Sequence, residues 1–558
     1  MICKLAIKPL IILSALTLFL ACEKKREDGE AAALPPAVQA IAEDAPQAAA
    51  EEGEKPSDGD MLVFSSIGEP LNLIPAISSD SASHEIAGFI YNGLITLDKN
   101  MNIAGDLAKS WEISEDNLTI TFYLRDDVLW HDGKPFTAED VLFTHRFMID
   151  NSTPTAYDKD FRMVASVEAP DNYTVKVSYD EPYSPSLPSW GLWIMPKHLL
   201  DGVPATKSDL QRNPVGTGPY IFKEWKSGYI NLTANPKYFK GKPHIDRVMF
   251  RYFTDQSAAF MELLNGGIDV NPLTPAQYAK QTDTERFMSQ YETYKYLASS
   301  YTYIGYNLRR KPFDDKRVRQ ALSYATPVNN IINSVMHGYA TPAAGPFKPG
   351  TVWHNDALSH YPLDLAKAEE LLREAGYAKN NKGVLVKDGK PLKIELITNT
   401  NTTRQQIAEV IQNGWKELGI TVSIRVFEWG TFLNEHVNKG DFDALILGWT
   451  IVTDPDISPI FHSEGCKAGA TLNFICYSNP DVDTLFDKAI RTFNTEERKG
   501  YYDRVQEILT EEQPYTFLYV PYALYAVSSR VRGIEPAPAG IFYNIEEWFV
   551  PKELQKYK

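Results

Sequence analysis

Residues 442–456, FDALILGWTIVTDPD, constrain the fold more than any other stretch of the 558-residue chain. The run 444–449 is apolar throughout, too short for an independent helix, and bounded by Asp441 and Asp443 before it and Asp454 and Pro455 after it. It predicts a strand covered on both faces. Upstream, 392–398 (LKIELIT) is strand-like, 402–418 repeats apolar residues at helical spacing up to Gly419, and 420–427 (ITVSIRVF) alternates as a strand. A short amphipathic piece at 432–437 leads into the apolar run. Strand, helix, strand, helix, strand is the pattern of a parallel α/β sheet, whose ligands sit beyond the carboxyl ends of the strands. The loop 450–456 is therefore where function is expected.

A single core stops growing at about 250–300 residues, so this length predicts at least two lobes. A formal net charge of -16 disfavours nucleic acid as a partner, because phosphate binding needs clustered Lys and Arg. Lys4 and Lys8 precede an apolar run at 10–20 that is too short to span a bilayer, and Ala21 is small, so residues 1–21 are expected to be an export signal. Phe19, Leu20, Ala21 and Cys22 approximate a bacterial lipobox, departing from it at Phe19 and Leu20, and predict Cys22 as a lipidated N-terminus, with plain secretion as the alternative. Residues 22–60 read as a disordered acidic tether: 23–60 holds eleven acids against four bases, with almost no large apolar side chains. Its typical reach is roughly 34 Å. Of the four cysteines, Cys3 lies in the leader and Cys22 at the lipobox, leaving Cys466 and Cys476 as a disulfide pair expected in an oxidising compartment. Their spacing is neither CxxC nor a zinc pattern, so a redox or metal pair is the lesser reading.

From Met61 onward the chain reads as globular. LVFS (62–65) is a first strand, and Asp80 to Ser83 offer N-caps before Ile86, Phe89, Ile90 and Leu94 at helical spacing. LTITFYL (118–124) alternates as a half-buried strand, and Thr137 followed by Asp140 opens a helix. His131, Asp132 and Gly133 suit a turn between strand and helix rather than a metal or base. GTGPY (216–220) lacks the Lys and Ser or Thr of a phosphate loop. PFDDKRVRQALSYA (312–325) predicts a helix capped by Asp314 whose charges form surface pairs. HExxH and GxSxG motifs do not occur, and the ten His residues are scattered, so no catalytic residues and no metal or cofactor site are assigned.

Several segments together resemble one family. IYNGLITLD (90–98), DLAKSWEIS (106–114), 124–141, VGTGPYIFKEW (215–225), NPKYFKGKP (235–243), 303–325, LLREAGY (371–377), FDALILGW (442–449) and YYDRVQEILTEEQP (501–514) look in register like bacterial extracellular solute-binding proteins of family 5, the peptide and nickel binding components of ABC importers. The resemblance implies an α/β, two-lobed periplasmic-binding-protein-like fold with mixed and parallel sheets and a hinge. Lobe one would hold 61–94, 213–300 and 521–558 with a subdomain at 95–212, and lobe two 301–520. It also implies a monomer that binds peptide between the lobes and hands it to an inner-membrane ABC permease, without enzymatic activity. In such relatives the strand matching Gly448, Trp449 and Thr450 pairs with an extended ligand through its backbone, and an Asp in the next loop holds the peptide ammonium. Read without gaps, that position is Val452. Asp454 or Asp456 would serve instead, or would only shape a turn around Pro455. Trp429, Tyr306, Asn307 and Tyr522 are the remaining cleft candidates by position. Another solute (a nickel chelate, an oligosaccharide or an opine), a secreted peptide hydrolase and a cell-surface interaction protein remain as alternatives.

Overall fold

The computed structural model describes residues 55–451, 454–466 and 471–557. The leader, Cys22, most of the tether and Val452 lie outside the described residues. The end of the expected tether does not: Asp60 is 4% exposed, ion-pairs with Arg530, and accepts the backbone N–H groups of Lys556 and Tyr557 at 3.1 and 2.8 Å. The packed chain therefore begins before Met61, because the buried Arg530 guanidinium needs the carboxylates of both Asp60 and Asp269.

The first lobe opens with β1 (Met61–Ser66) and α1 (Ser81–Ile90). Asp80 caps α1 as its spacing predicts, accepting Ser83 N at 2.9 Å. An excursion then builds an antiparallel sheet from β2 (Ala108–Ile113), β3 (Thr119–Leu124), β4 (Val164–Asp171) and β5 (Thr174–Tyr179), in the order β2–β3–β5–β4. Two further helices belong to it: α2 (Ala138–Ile149), opened by the Thr137–Asp140 capping box, and α3 (Asp158–Arg162). The chain returns through β6 (Tyr220–Lys226), β7 (Tyr229–Ala234), β8 (Arg247–Tyr252), β9 (Val270–Pro272) and β10 (Tyr291–Leu297), with β1 parallel to β8 and β9. Where β6 begins, Gly216 lies so close to Ile90 that a Cβ would meet its carbonyl oxygen, which accounts for the glycines of GTGPY.

The second lobe follows with β11 (Ser300–Tyr306), α4 (Lys316–Tyr324), β12 (Lys393–Asn399), α5 (Thr402–Glu417), β13 (Thr421–Phe427), β14 (Ala444–Thr450) and α6 (Thr495–Glu512). β12 runs parallel to β13 and β14, the arrangement expected from the strand–helix alternation. Ala444 and Ile446 face one apolar cluster while Leu445 and Leu447 face another, so β14 is covered on both sides. α4 is capped by Asp315, one residue later than expected. Its Arg319 is not a surface charge: it is buried and donates to the carbonyls of Phe313, Glu512 and Gln513, closing the C-terminus of α6.

The last strand, β15 (Tyr515–Ser528), joins the two sheets. Its first part pairs with β11 and its second with β9 and β10, so β10–β11 and β15 are two adjacent antiparallel connections between the lobes. Ala298 N donates to Pro521 O at 2.9 Å where they pass. Two chain crossings in one ribbon make a hinge that bends without tearing either sheet.

Candidate functional site between the lobes

β14 pairs with β11 along its whole length, but its partnership with β12 stops at Leu445. The Thr398 hydroxyl donates to Ile446 O at 3.2 Å, and beyond that the backbone of Leu447 to Thr450 has one unpaired edge among the described residues. An unpaired edge of N–H and C=O groups is a template for an added strand. Gly448 sits in it, where a Cβ would lie 3.0 Å from Tyr301 O and 3.5 Å from Arg404 Nη2. Trp449 donates its indole N–H to the Tyr515 hydroxyl at 3.2 Å and stacks on Phe474, and Thr450 is exposed.

Arg404, on the first turn of α5, went unnoticed at the level of sequence because it stands in a run of helical spacing. It donates to Asn399 Oδ1 at 3.0 Å, and among the described residues no carboxylate pairs with it. Burial draws its pKa below the ordinary guanidinium value, partly opposed by the phenols of Tyr519 and Tyr303. A cation enclosed beside a free strand edge suits an anionic ligand group.

The two acids of the loop are already engaged. Arg498 grips Asp454 with two hydrogen bonds of 2.9 and 3.0 Å. Burial pushes the Asp454 carboxyl up against the opposing pull of Arg498. Asp456 meets Lys159 Nζ at 2.7 Å, and Lys159 also contacts the Ser458 hydroxyl. Burial raises the Asp456 carboxyl too, but Lys159 and Ser458 outweigh it and hold it below the usual range. Each carboxylate thus already has a cation of the protein as its partner.

Lys159 belongs to α3 of the first lobe, so its pair with Asp456 ties the lobes together. Other ties run between Arg491 and Glu181 at 2.5 Å, and from Thr402 N and Oγ1 to Gln256 Oε1 at 3.0 and 2.8 Å. Trp429 packs across the same divide: its Cβ is 3.2 Å from the position of a Gly68 Cβ, and its indole N–H points to Asp80 at 3.5 Å. A cavity of about 920 Å³ remains between the lobes, lined by Leu71, Asn72 and Ile77 on one side and Asn434, Lys439 and Phe474 on the other.

Two expected cleft residues are core residues instead. Tyr306 is fully buried with its hydroxyl on Thr516, because it occupies an inward position of β11. Asn307, 1% exposed, spends its amide on the carbonyls of Gly440 and Phe442. Tyr522 is half-buried beside β10, with Lys295 5.8 Å above its ring. Cys466 and Cys476 are bonded, with Cα atoms 4.3 Å apart.

Residues 102–470 match the family described as "Bacterial extracellular solute-binding proteins, family 5 Middle". The chain belongs to this family. Among curated relatives, the oligopeptide-binding protein AppA of Bacillus subtilis is 35% identical over 89% of this chain and 93% of its own length. The heme-binding protein A of Haemophilus influenzae is 30% identical over 88% of this chain and 93% of its own. The solved structure of Bacillus subtilis AppA, in complex with a nonapeptide, superposes with a TM-score of 0.84 at 33% identity, covering 89% of this chain and all of that one. NikZ from Campylobacter jejuni, in complex with Ni(L-His), gives 0.80 at 30% identity over 88% and 99%. For this family 5 protein the two-lobed α/β fold is thus established. Shared architecture leaves the ligand to be argued from the cleft.

Proposed function

We propose that this chain is the extracytoplasmic peptide receptor of an ABC importer, closing its two lobes on an extended ligand. The observation that carries the reading is the backbone edge of β14 at 447–450, free among the described residues, beside an Arg404 that has no acidic partner among them. Backbone pairing accepts any side chain, and the guanidinium supplies a partner for the ligand carboxylate. The likeness to an oligopeptide-binding protein over most of the chain supports it. Asp454 and Asp456 then act through Arg498 and Lys159, fixing the loop and the closed arrangement, while Trp429 and Trp449 wall the site.

In the same reading residues 1–21 are removed on export, Cys22 carries lipid, and the following segment holds the receptor at a membrane. The protein acts as a monomer and hands its ligand to the permease unchanged. Lobe one comprises 61–94, with Asp60 packed against it, 213–300 and 521–558 with the subdomain 95–212, and lobe two comprises 301–520, a division supported by β10–β11 and β15 as the two crossings.

The deciding experiment denatures the purified chain and identifies released small molecules by mass spectrometry. Short peptides in near-stoichiometric amount are expected. A metal chelate, a porphyrin or a sugar in their place would keep the fold and remove the peptide reading.

A further inference from the structure

Glu85 is a carboxylate that no cation pairs among the described residues. On α1 the buried residues are Ala82, Ser83, Ile86, Ala87, Phe89 and Ile90, which turns Glu85 to the other face. Its Oε2 accepts from the Ser66 hydroxyl at 3.3 Å, at the carboxyl end of β1. Two residues further on, Gly68 meets Trp429 of the second lobe, so Glu85 stands where the lobes face each other. The side chain is accessible, yet desolvation by the protein around it raises its carboxyl to about 7, opposed only by the Ser66 bond. Its charge is felt by the Tyr525 phenol, whose ring stacks on Tyr296. Among the described residues no cation pairs with it.

A desolvated carboxylate without a cation opposes its own ionisation, and a partner cation reverses the balance. Asp454 and Asp456 have such partners within the protein, whereas Glu85 is left to find one in the ligand. We propose that Glu85 is the first-lobe anchor for a cationic group of the bound peptide, an ammonium or guanidinium, complementing Arg404 on the second lobe. The assignment rests on the peptide reading of the cleft. It gives the receptor a charge on each lobe, so a ligand bearing both signs gains contacts in both lobes only when they close.

The test is calorimetry of the full chain and its Glu85→Gln variant with alanine-rich peptides in three forms: free N-terminus, N-acetylated, and N-acetylated with one internal lysine. Loss of one charge-assisted hydrogen bond is expected to weaken binding of a cationic form by about 10- to 100-fold. The N-acetylated lysine-free form should bind both proteins alike. A loss that follows the free N-terminus identifies the backbone ammonium as the partner, and one that follows lysine identifies a side chain. Glu85→Asp should restore part of the affinity, and matching thermal midpoints show that the variants are folded. Binding of all three forms within twofold in wild type and Glu85→Gln would overturn the Glu85 contact and leave the peptide reading intact. No binding of any form by wild type would instead overturn the peptide reading and the contact with it.

Discussion

Lys159 of the first lobe places its ammonium 2.7 Å from the Asp456 carboxylate of the second, whose side chain is only 7% exposed. The pair exists only while the lobes are closed, and separating it strands a charge that burial has already made costly. Removing one partner of a buried pair is strongly destabilising, and discounting for the 32% exposure of Lys159 leaves roughly 1–3 kcal/mol. Lys159→Met should therefore shift the population toward an open form. Small-angle scattering should show a larger radius of gyration, and apparent ligand affinity should fall. Unchanged scattering and affinity would remove the tie from the closing mechanism.

Arg404 offers a second test. Replacing it with Met should weaken peptides bearing a free C-terminal carboxylate by about 10- to 100-fold and leave C-terminally amidated peptides nearly unaffected. Titration calorimetry on both peptide forms reads the difference. An equal loss for both would assign Arg404 a packing role.

Gly448→Val probes the strand edge. The added atoms would press on Tyr301 O and on the Arg404 guanidinium, 3.0 and 3.5 Å from the new Cβ. Crowding of this kind costs typically 1–3 kcal/mol, and the same atoms intrude on the edge that receives the ligand. Thermal unfolding and binding should both fall, with Gly448→Ala intermediate. Full affinity in Gly448→Val would mean that the ligand does not approach this edge.

His131 predicts a pH dependence of stability. Gly216 N donates to its Nδ1 at 3.3 Å while its Nε2 meets Gly218 O at 3.0 Å, an arrangement that needs the neutral ring. Burial lowers its pKa to about 4 from an ordinary 6.5, against the smaller opposing effects of Gly218 O and Asp132. Between those values the unfolded chain binds the extra proton, so this contribution is complete above pH 6.5 and is lost as pH falls toward 4. Melting temperatures of wild type and His131→Gln across that range should converge at low pH. Parallel profiles would contradict it.

Much of the second lobe was legible because its strands and helix carry unambiguous periods: β12, α5, β13 and β14 fall where apolar alternation and helical spacing place them. Caps read equally well at Asp80 and Thr137, since a cap is a matter of three or four neighbouring residues. Tyr306 and Asn307 did not, because chain position near a crossover says nothing about which face of a strand is inward. Arg404 and Glu85 each sit within an ordinary helical pattern, and only the absence of an opposite charge around them among the described residues marks them out.

The sequence by itself determined the alternation of strand and helix, the two-lobed family architecture and the position of the loop after β14. These depend on local periodicity and on motifs that lie within a few residues of one another. Only the tertiary structure decided what the charged groups do. Asp454 finds Arg498 44 residues away, and Asp456 finds Lys159 297 residues away, across the cleft. Whether a carboxylate serves the protein or a ligand depends on which cation reaches it first, and that is a property of three-dimensional neighbours, not of spacing along the chain.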